Sequence, residues 1–181
     1  QGSAERRIHE HGFPAEPATE FTTRHGTEHG DDKDDSTLGG VEFLLAPSGE
    51  FFFLEMNTRI QVEHPVTEAI TGLDLVALHL RIAEGAGLGL RQGDLRINGH
   101  AIEARLYAED PAMQFAPSTG TLTTLSLPGG LRIDGGVAEG DAVTPYYDPM
   151  IAKLIVHAPD RETALARLAT ALDHVAVEGV Q

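Results

Sequence analysis

The sequence predicts an α+β fold in which antiparallel strands are packed by helices, and three observations predict it. The first is a hairpin pattern, VEFLL then APSGE then FFFLE, over residues 41–55. The second is a series of short apolar alternations after residue 98, each closed by Gly, Pro or Asp. Such punctuation suits antiparallel strands joined by tight turns. The third is a pair of helical periods, each opened by an aspartate in the N-cap position, at Asp74 and Asp160.

With 181 residues and 41% hydrophobic composition, the chain can bury a core in one domain or two small ones. Its net charge of −15 argues against nucleic acid and against an anionic membrane surface as partners. It still allows a local basic pocket for an anion. The absence of cysteine removes disulfides and thiolate metal sites. No apolar run approaches the ~20 residues of a membrane span. The opening QGSAERRIHEHG lacks the apolar centre of a secretory leader. The expected location is the cytoplasm.

Residues 1–38 show neither strand nor helix periodicity and carry the charged run DDKDD, so they read as loop or disorder. Four histidines, His9, His11, His25 and His29, fall there. A metal site is one reading, and a solvated polar segment is the favoured one. Order begins near Gly39. Counting from Pro47-Ser48-Gly49 places Glu42 and Glu55 opposite one another to within one residue. After Met56, polar residues recur at every second position: Asn57, Arg59, Gln61 and Glu63. They share one side if the backbone stays extended. Pro65 ends that run and suits the first turn of a helix. From Asp74, Leu75, Leu78, His79 and Ile82 form one helical face, and Gly85 closes it. GAGLGLRQGD is the expected subdomain boundary. Beyond it, GHAIEARLYAED (99–110) puts Glu103 and Arg105 on one face and Ile102, Ala104 and Leu106 on the other. TLTTLSL (121–127), GLRID (130–134) and PMIAKLIVH (149–157) are further predicted strands. Asp160 opens a last helix with Leu165, Leu168 and Leu172 on one face.

The densest chemistry lies between Glu42 and His64. Mg²⁺ is a hard cation that binds one or two carboxylates together with substrate phosphates. Glu42, Glu55 and the amide oxygen of Asn57 supply such ligands for one or two ions beside a nucleoside triphosphate. The planar fork of Arg59 fits a carboxylate, phosphate or bicarbonate. Glu63 suits a general base, and the Val62 backbone N–H is a further donor to the same anion. The competing reading is a solvated strand face with weak cross-pairs. For Arg105 the alternatives are an anionic ligand and an ion pair with Glu103 or Glu109.

EMNTRIQVEHPVTE (55–68) resembles the signature of the biotin carboxylases, members of the ATP-grasp family. The resemblance continues through ITGLDLVALHLRIAEG, NGHAIEARLYAEDP, FAPSTGTL and YYDPMIAKLIVHAPDRETALARL. The later motifs look most like the biotin carboxylase region of acyl-CoA carboxylase α subunits. The resemblance implies the end of an ATP-grasp domain over 39–95 and a biotin carboxylase C-terminal domain over 96–181. It implies Glu42, Glu55 and Asn57 as ligands of two Mg²⁺ or Mn²⁺ ions, with Glu42 and Glu55 also at the ATP. Arg59, Gln61 and the Val62 backbone are implied to hold bicarbonate, Glu63 to act as base, and Arg105 to face the biotin ureido oxygen. The implied reaction is ATP-dependent carboxylation of biotin on a carrier domain. The implied partners are that carrier, a carboxyltransferase subunit and a second copy of the chain. Family members also carry a glycine-rich lid and phosphate-binding lysines that residues 1–38 do not match, so the expectation is a fragment inactive alone. The alternatives are another bicarbonate-activating ATP-grasp ligase, such as a carbamoyl-phosphate synthase, and a non-catalytic folding or dimerisation module.

Overall fold

One strand organises most of the buried surface. In the computed structural model, which describes residues 40–180, MIAKLIVHA forms a strand from Met150 to Ala158. Ile151 through Val156 are buried without a break. Such a continuously buried run marks a strand covered on both faces. It is the centre of a three-stranded antiparallel sheet.

The elements run in order as follows. Strands β1 (Gly40–Leu45) and β2 (Phe51–Asn57) precede helices α1 (His64–Thr71) and α2 (Leu75–Ala83). Then come β3 (His100–Tyr107), β4 (Glu109–Asp110), β5 (Ala116–Pro117), β6 (Gly120–Thr121), β7 (Thr124–Ser126), β8 (Arg132–Gly135) and β9 (Ala142–Val143). The chain closes with β10 (Met150–Ala158), α3 (Arg161–Leu172) and β11 (Ala176–Glu178). The larger sheet has the order β3-β10-β8, and the described residues also form four separate antiparallel pairs: β1-β2, β4-β5, β6-β9 and β7-β11. This is an α+β architecture of antiparallel sheets with packed helices. The chain divides into two compact units. Among the described residues, one comprises 40–64 and 74–89, and the other 65–73 and 90–180.

In the first unit, the hairpin forms because Ala46–Glu50 supplies a five-residue turn. Ala46 N–H donates to Glu50 O at 2.9 Å and Gly49 N–H to Ala46 O at 2.8 Å. Gly49 takes φ +87°, which glycine adopts without a Cβ penalty. Glu42 and Glu55 are direct register partners, with a bulge between Glu42 and Phe43. Helix α2 begins as its sequence predicts, with Asp74 Oδ1 accepting from Ala77 N–H at 2.8 Å. Leu75, Leu78, His79 and Ile82 form its covered side, whereas Val76 and Leu80 are exposed. Gly85, at φ +89°, carries the chain out of the helix.

In the second unit, two apolar clusters cover β10. Leu154, Val156 and Ala158 pack with Ala164 and Leu168 of α3, and Ile102, Ala104 and Leu106 of β3 close that layer. Ile151 and Ala152 pack with Ala108, Leu122 and Val143. Leu122 and Leu154 are 0% exposed. At about 25 cal/mol per Å² of apolar surface, each fully buried leucine contributes roughly 1.5–3 kcal/mol.

Three expectations are corrected here. The buried face of α3 is Ala164, Leu168 and Ala171, while Leu165 and Leu172 are exposed. The small alanines let the helix approach the sheet, so the i, i+4, i+7 stripe runs one position earlier than a leucine count suggests. TLTTLSL is not one strand. Leu122 N–H donates to Asp141 O and Thr123 N–H to Glu178 O, both at 2.9 Å, so the chain changes partner strand at its most buried residue. The expected strand over 99–110 likewise breaks at buried Ala108, whose N–H turns to Pro149 O at 2.9 Å.

Candidate functional site

The hairpin brings two of the expected ligands together. Glu55 lies near the end of β2, Asn57 is its last residue, and the amide Nδ2 of Asn57 donates to Glu55 Oε1 at 3.2 Å. Asn57 is 4% exposed although the rest of β2 is exposed. The contact engages the nitrogen end of the amide, which cannot ligate a cation. Glu42 lies across the ladder as the Cα partner of Glu55. Two carboxylate-bearing positions face each other beside a buried amide, an oxygen-donor set suited to Mg²⁺ or Mn²⁺. Among the described residues no group of three or more His, Asp or Glu side chains is gathered for a metal. The histidines expected as an alternative metal site lie outside the described residues.

Beyond Asn57 the extended run fails. Strand β2 stops there, Arg59 lies at a bend, and Val62 and Glu63 form a turn closed by His64 N–H to Gln61 O at 3.1 Å. His64 Nδ1 also contacts Gln61 O at 2.8 Å. Pro65 then sits in the first turn of α1 and is fully buried. The expected one-sided row of Asn57, Arg59, Gln61 and Glu63 thus does not follow from strand alternation. The turn needed to enter α1 overrides the period of two. Arg59 is exposed and makes no ion pair with a described residue, while Gln61, Val62 and Glu63 are half-buried. The backbone that carries them is a turn leading into α1.

Arg105 stands on β3 in the second unit. Its Nε lies 3.7 Å from Glu103 Oε1, so the ion pair anticipated from their shared face is present. Its side chain remains 39% exposed, whereas that of Glu103 is 5% exposed. Glu103 faces Lys153 Nζ at 3.9 Å, and Lys153 in turn faces Asp134 Oδ2 at 3.5 Å. Arg132 grips Asp134 through Nε at 2.8 Å and NH2 at 2.9 Å, and reaches Glu68 Oε2 of α1 at 2.6 Å. The paired hydrogen bonds from Arg132 hold the Asp134 carboxyl below its usual range. Hydrogen bonds donated to Asp134 and then to Glu68 raise the guanidinium of Arg132 above its ordinary value. Sequence reasoning missed this row. Its traces were a lysine inside the apolar run MIAKLIVH and the i, i+2 pair of Arg132 and Asp134.

Comparison with known proteins gives one answer for both units. Residues 33–91 match the family described as the carbamoyl-phosphate synthase L chain, ATP binding domain. Residues 103–181 match the biotin carboxylase C-terminal domain. The chain is 55% identical over 148 residues to biotin carboxylase 2 of Bacillus subtilis (strain 168), covering 81% of this chain and 33% of that protein. It is 53% identical over 150 residues to the human mitochondrial propionyl-CoA carboxylase alpha chain, covering 80% of this chain and 20% of that protein. Among solved structures, the 2-oxoglutarate carboxylase biotin carboxylase domain dimer of Hydrogenobacter thermophilus, in complex with MgADP, ADP and bicarbonate, matches at 50% identity. Its TM-score is 0.73, over 79% of this chain and 32% of that one. The chain thus spans about a fifth to a third of the length of these relatives. Across both of its units, the chain belongs to the biotin carboxylase family of ATP-grasp ligases.

Proposed function

We propose that this chain supplies the metal and bicarbonate end, and the biotin-facing arginine, of an ATP-dependent biotin carboxylase. The observation that carries the reading is the Glu42–Glu55 register with Asn57 bonded to Glu55. These three residues would hold two divalent cations at the ATP phosphates, and the metals supply charge neutralisation there. Arg59, Gln61 and the Val62 N–H bind bicarbonate on the helix-entry turn. An arginine fork and backbone donors orient the planar anion so that one oxygen is free to attack. Glu63 accepts the bicarbonate proton. Attack on the γ-phosphate gives carboxyphosphate and ADP, and carboxyphosphate breaks down to CO₂ and phosphate. The ureido nitrogen of biotin loses a proton and takes up CO₂. Arg105 stabilises the negative charge that develops on the ureido oxygen, a contribution on the order of 3 kcal/mol for one such donor.

The proposed partners follow from the same reading: a biotinylated carrier domain or protein, a carboxyltransferase subunit, and a second copy, as in the dimer of the Hydrogenobacter relative. The relatives serve propionyl-CoA, methylcrotonoyl-CoA and 2-oxoglutarate carboxylases at similar identity, so the final acceptor is set elsewhere than in this segment. No described helix is long and apolar enough to cross a membrane.

A chimera tests the proposal. Residues 40–180 are grafted over the matching segment of the Bacillus biotin carboxylase. Bicarbonate-dependent ATP cleavage is then measured with free biotin as acceptor. The expected result is retained turnover, lost when ammonia replaces biotin, which separates biotin carboxylation from carbamoyl phosphate synthesis. Glu55→Gln in that chimera lowers kcat by at least about a hundredfold, since the metal clamp is worth several kcal/mol. A folded, dimeric chimera whose rate ignores Glu55→Gln removes the metal assignment.

A further inference from the structure

Lysine is scarce in this chain, which has only Lys33 and Lys153. Lys153 is 7% exposed, in the centre of the most buried strand. A lysine in such a place needs compensation, because an unpaired buried ammonium is costly. The register shows how it is compensated. Lys153 is the cross-strand partner of Arg105 on β3 and of Asp134 on β8. Ile155, two residues on, is the partner of Glu103 and of Arg132. Those six residues form two rows across one face of the sheet, with charges of alternating sign along each edge strand. Read by contact, the order is Glu68, Arg132, Asp134, Lys153, Glu103, Arg105: minus, plus, minus, plus, minus, plus.

Two cations, Lys153 and Arg105, therefore sit directly opposite each other, an arrangement that is repulsive by itself. Glu103 lies diagonally between them. Both of its carboxylate oxygens are shut off from solvent. One faces Arg105 at 3.7 Å and the other Lys153 at 3.9 Å. The far end of the row is anchored by the bidentate Arg132–Asp134 contact and by Glu68. The near end is the Arg105 guanidinium, which is 39% exposed. We propose that Glu103 and Lys153 are positioning residues: the row of alternating charges, buried at Glu103 and Lys153, fixes the half-exposed Arg105 guanidinium at its near end, ready for an electronegative ligand. This rests on the reading of Arg105 as the biotin-facing arginine. It extends that reading by naming what holds the arginine still. Preorganisation of this kind removes the side-chain entropy that ligand binding must otherwise overcome.

The test is made on the 181-residue chain with ¹⁵N-labelled arginine. Arg105 Nε–H is expected to be rigid, with an order parameter near the ~0.85 of ordered backbone. Glu103→Gln removes the anion and leaves the opposed cations, so the Arg105 order parameter falls below about 0.6. Arg132, anchored by Asp134 and Glu68, stays unchanged. That selectivity separates positioning from general destabilisation, which loosens both arginines. If the glutamine variant does not fold, Glu103→Asp keeps the charge but withdraws it by one methylene, and Arg105 again loosens ahead of Arg132. A mobile Arg105 in the unsubstituted chain overturns the proposal, as does an Arg105 equally rigid in either folded variant. Free biotin is then titrated into the unsubstituted chain. A rigid Arg105 whose signals do not move with biotin counts against the biotin assignment and leaves the positioning intact.

Discussion

The β1–β2 hairpin and the β3-β10-β8 sheet are both antiparallel, but they are held by different means. In the hairpin, Phe51, Phe52, Phe53, Leu54 and Met56 are all exposed, and only Asn57 of β2 is buried. Among the described residues neither strand has a second sheet neighbour. Its internal side-chain support includes an edge-to-face pair, Phe43 with Phe53, with ring centroids 6.2 Å apart. A two-stranded hairpin without a covered face is marginal in water. Strand β10, by contrast, has ladder partners on both sides and apolar clusters on both faces. The expected ligands Glu42 and Glu55 thus sit on the weakly supported element, and Arg105 on the strongly supported one. Turn chemistry and ladder register set the geometry of the first site. Packing and a partly buried charge row set that of the second.

The largest predicted effect breaks this contrast if it is wrong. Leu154→Ala removes a fully buried side chain and is expected to destabilise the second unit by about 2–5 kcal/mol. Phe52→Ala, on the exposed hairpin, is expected to cost under about 0.5 kcal/mol. Urea denaturation of both variants measures the difference. Equal losses would show that the phenylalanines are covered in solution. Amide hydrogen exchange sharpens the same contrast residue by residue. Amides of Ile151 to Val156 should exchange only through global opening, while those of β1 and β2 exchange through local fraying.

How legible each region was in the sequence follows the same division. The hairpin register was readable because APSGE fixes the turn, and one turn fixes every pair down to Glu42 and Glu55. Both helix starts were readable because an N-cap is a local contact, as at Asp74 and Asp160. The run after Asn57 was misread because alternation says nothing about where a strand ends. The helix that buries Pro65 required a turn two residues before it. Lys153, Asp134, Arg132 and Glu68 were invisible as a set because their adjacency exists only across strands and from α1 to β8. No spacing along the chain encodes which strand lies beside β10. The family resemblance implies roles for eight residues. It did not reveal the row that steadies Arg105, since that row is a product of packing.

A smaller effect tests whether the first unit has an anchor of its own. Asp74→Ala deletes the 2.8 Å cap on Ala77 and should cost about 1 kcal/mol, read as a lower urea midpoint for loss of α2. Asp74→Asn keeps an acceptor and should recover most of that loss. A change in the midpoint of the β3-β10-β8 sheet of the same size would mean that the units unfold together.

The smallest effect is the acid response of the second unit. Its hydrogen bonds from Arg132 hold the Asp134 carboxyl below its ordinary value. A carboxyl lowered by folding binds a proton more readily in the unfolded chain. Its contribution is therefore fully present above the unfolded value of about 3.9. It is lost as pH falls from there through the folded value. Arg132 is shifted upward and keeps its charge throughout, so it adds no acid limb. Asp134 is partly exposed, and solvent screens the pair, which keeps the limb shallow. Urea midpoints of the second unit should thus be flat from pH 8 to about 5 and decline below about 4. Asp134→Asn should start lower and decline less steeply. The loss should also reach Lys153, whose ion pairs would then depend on Glu103 alone among the acids of the row. A slope unchanged by Asp134→Asn would place the acid-sensitive group elsewhere, and would show that the pairing with Arg132 is made equally in the unfolded chain.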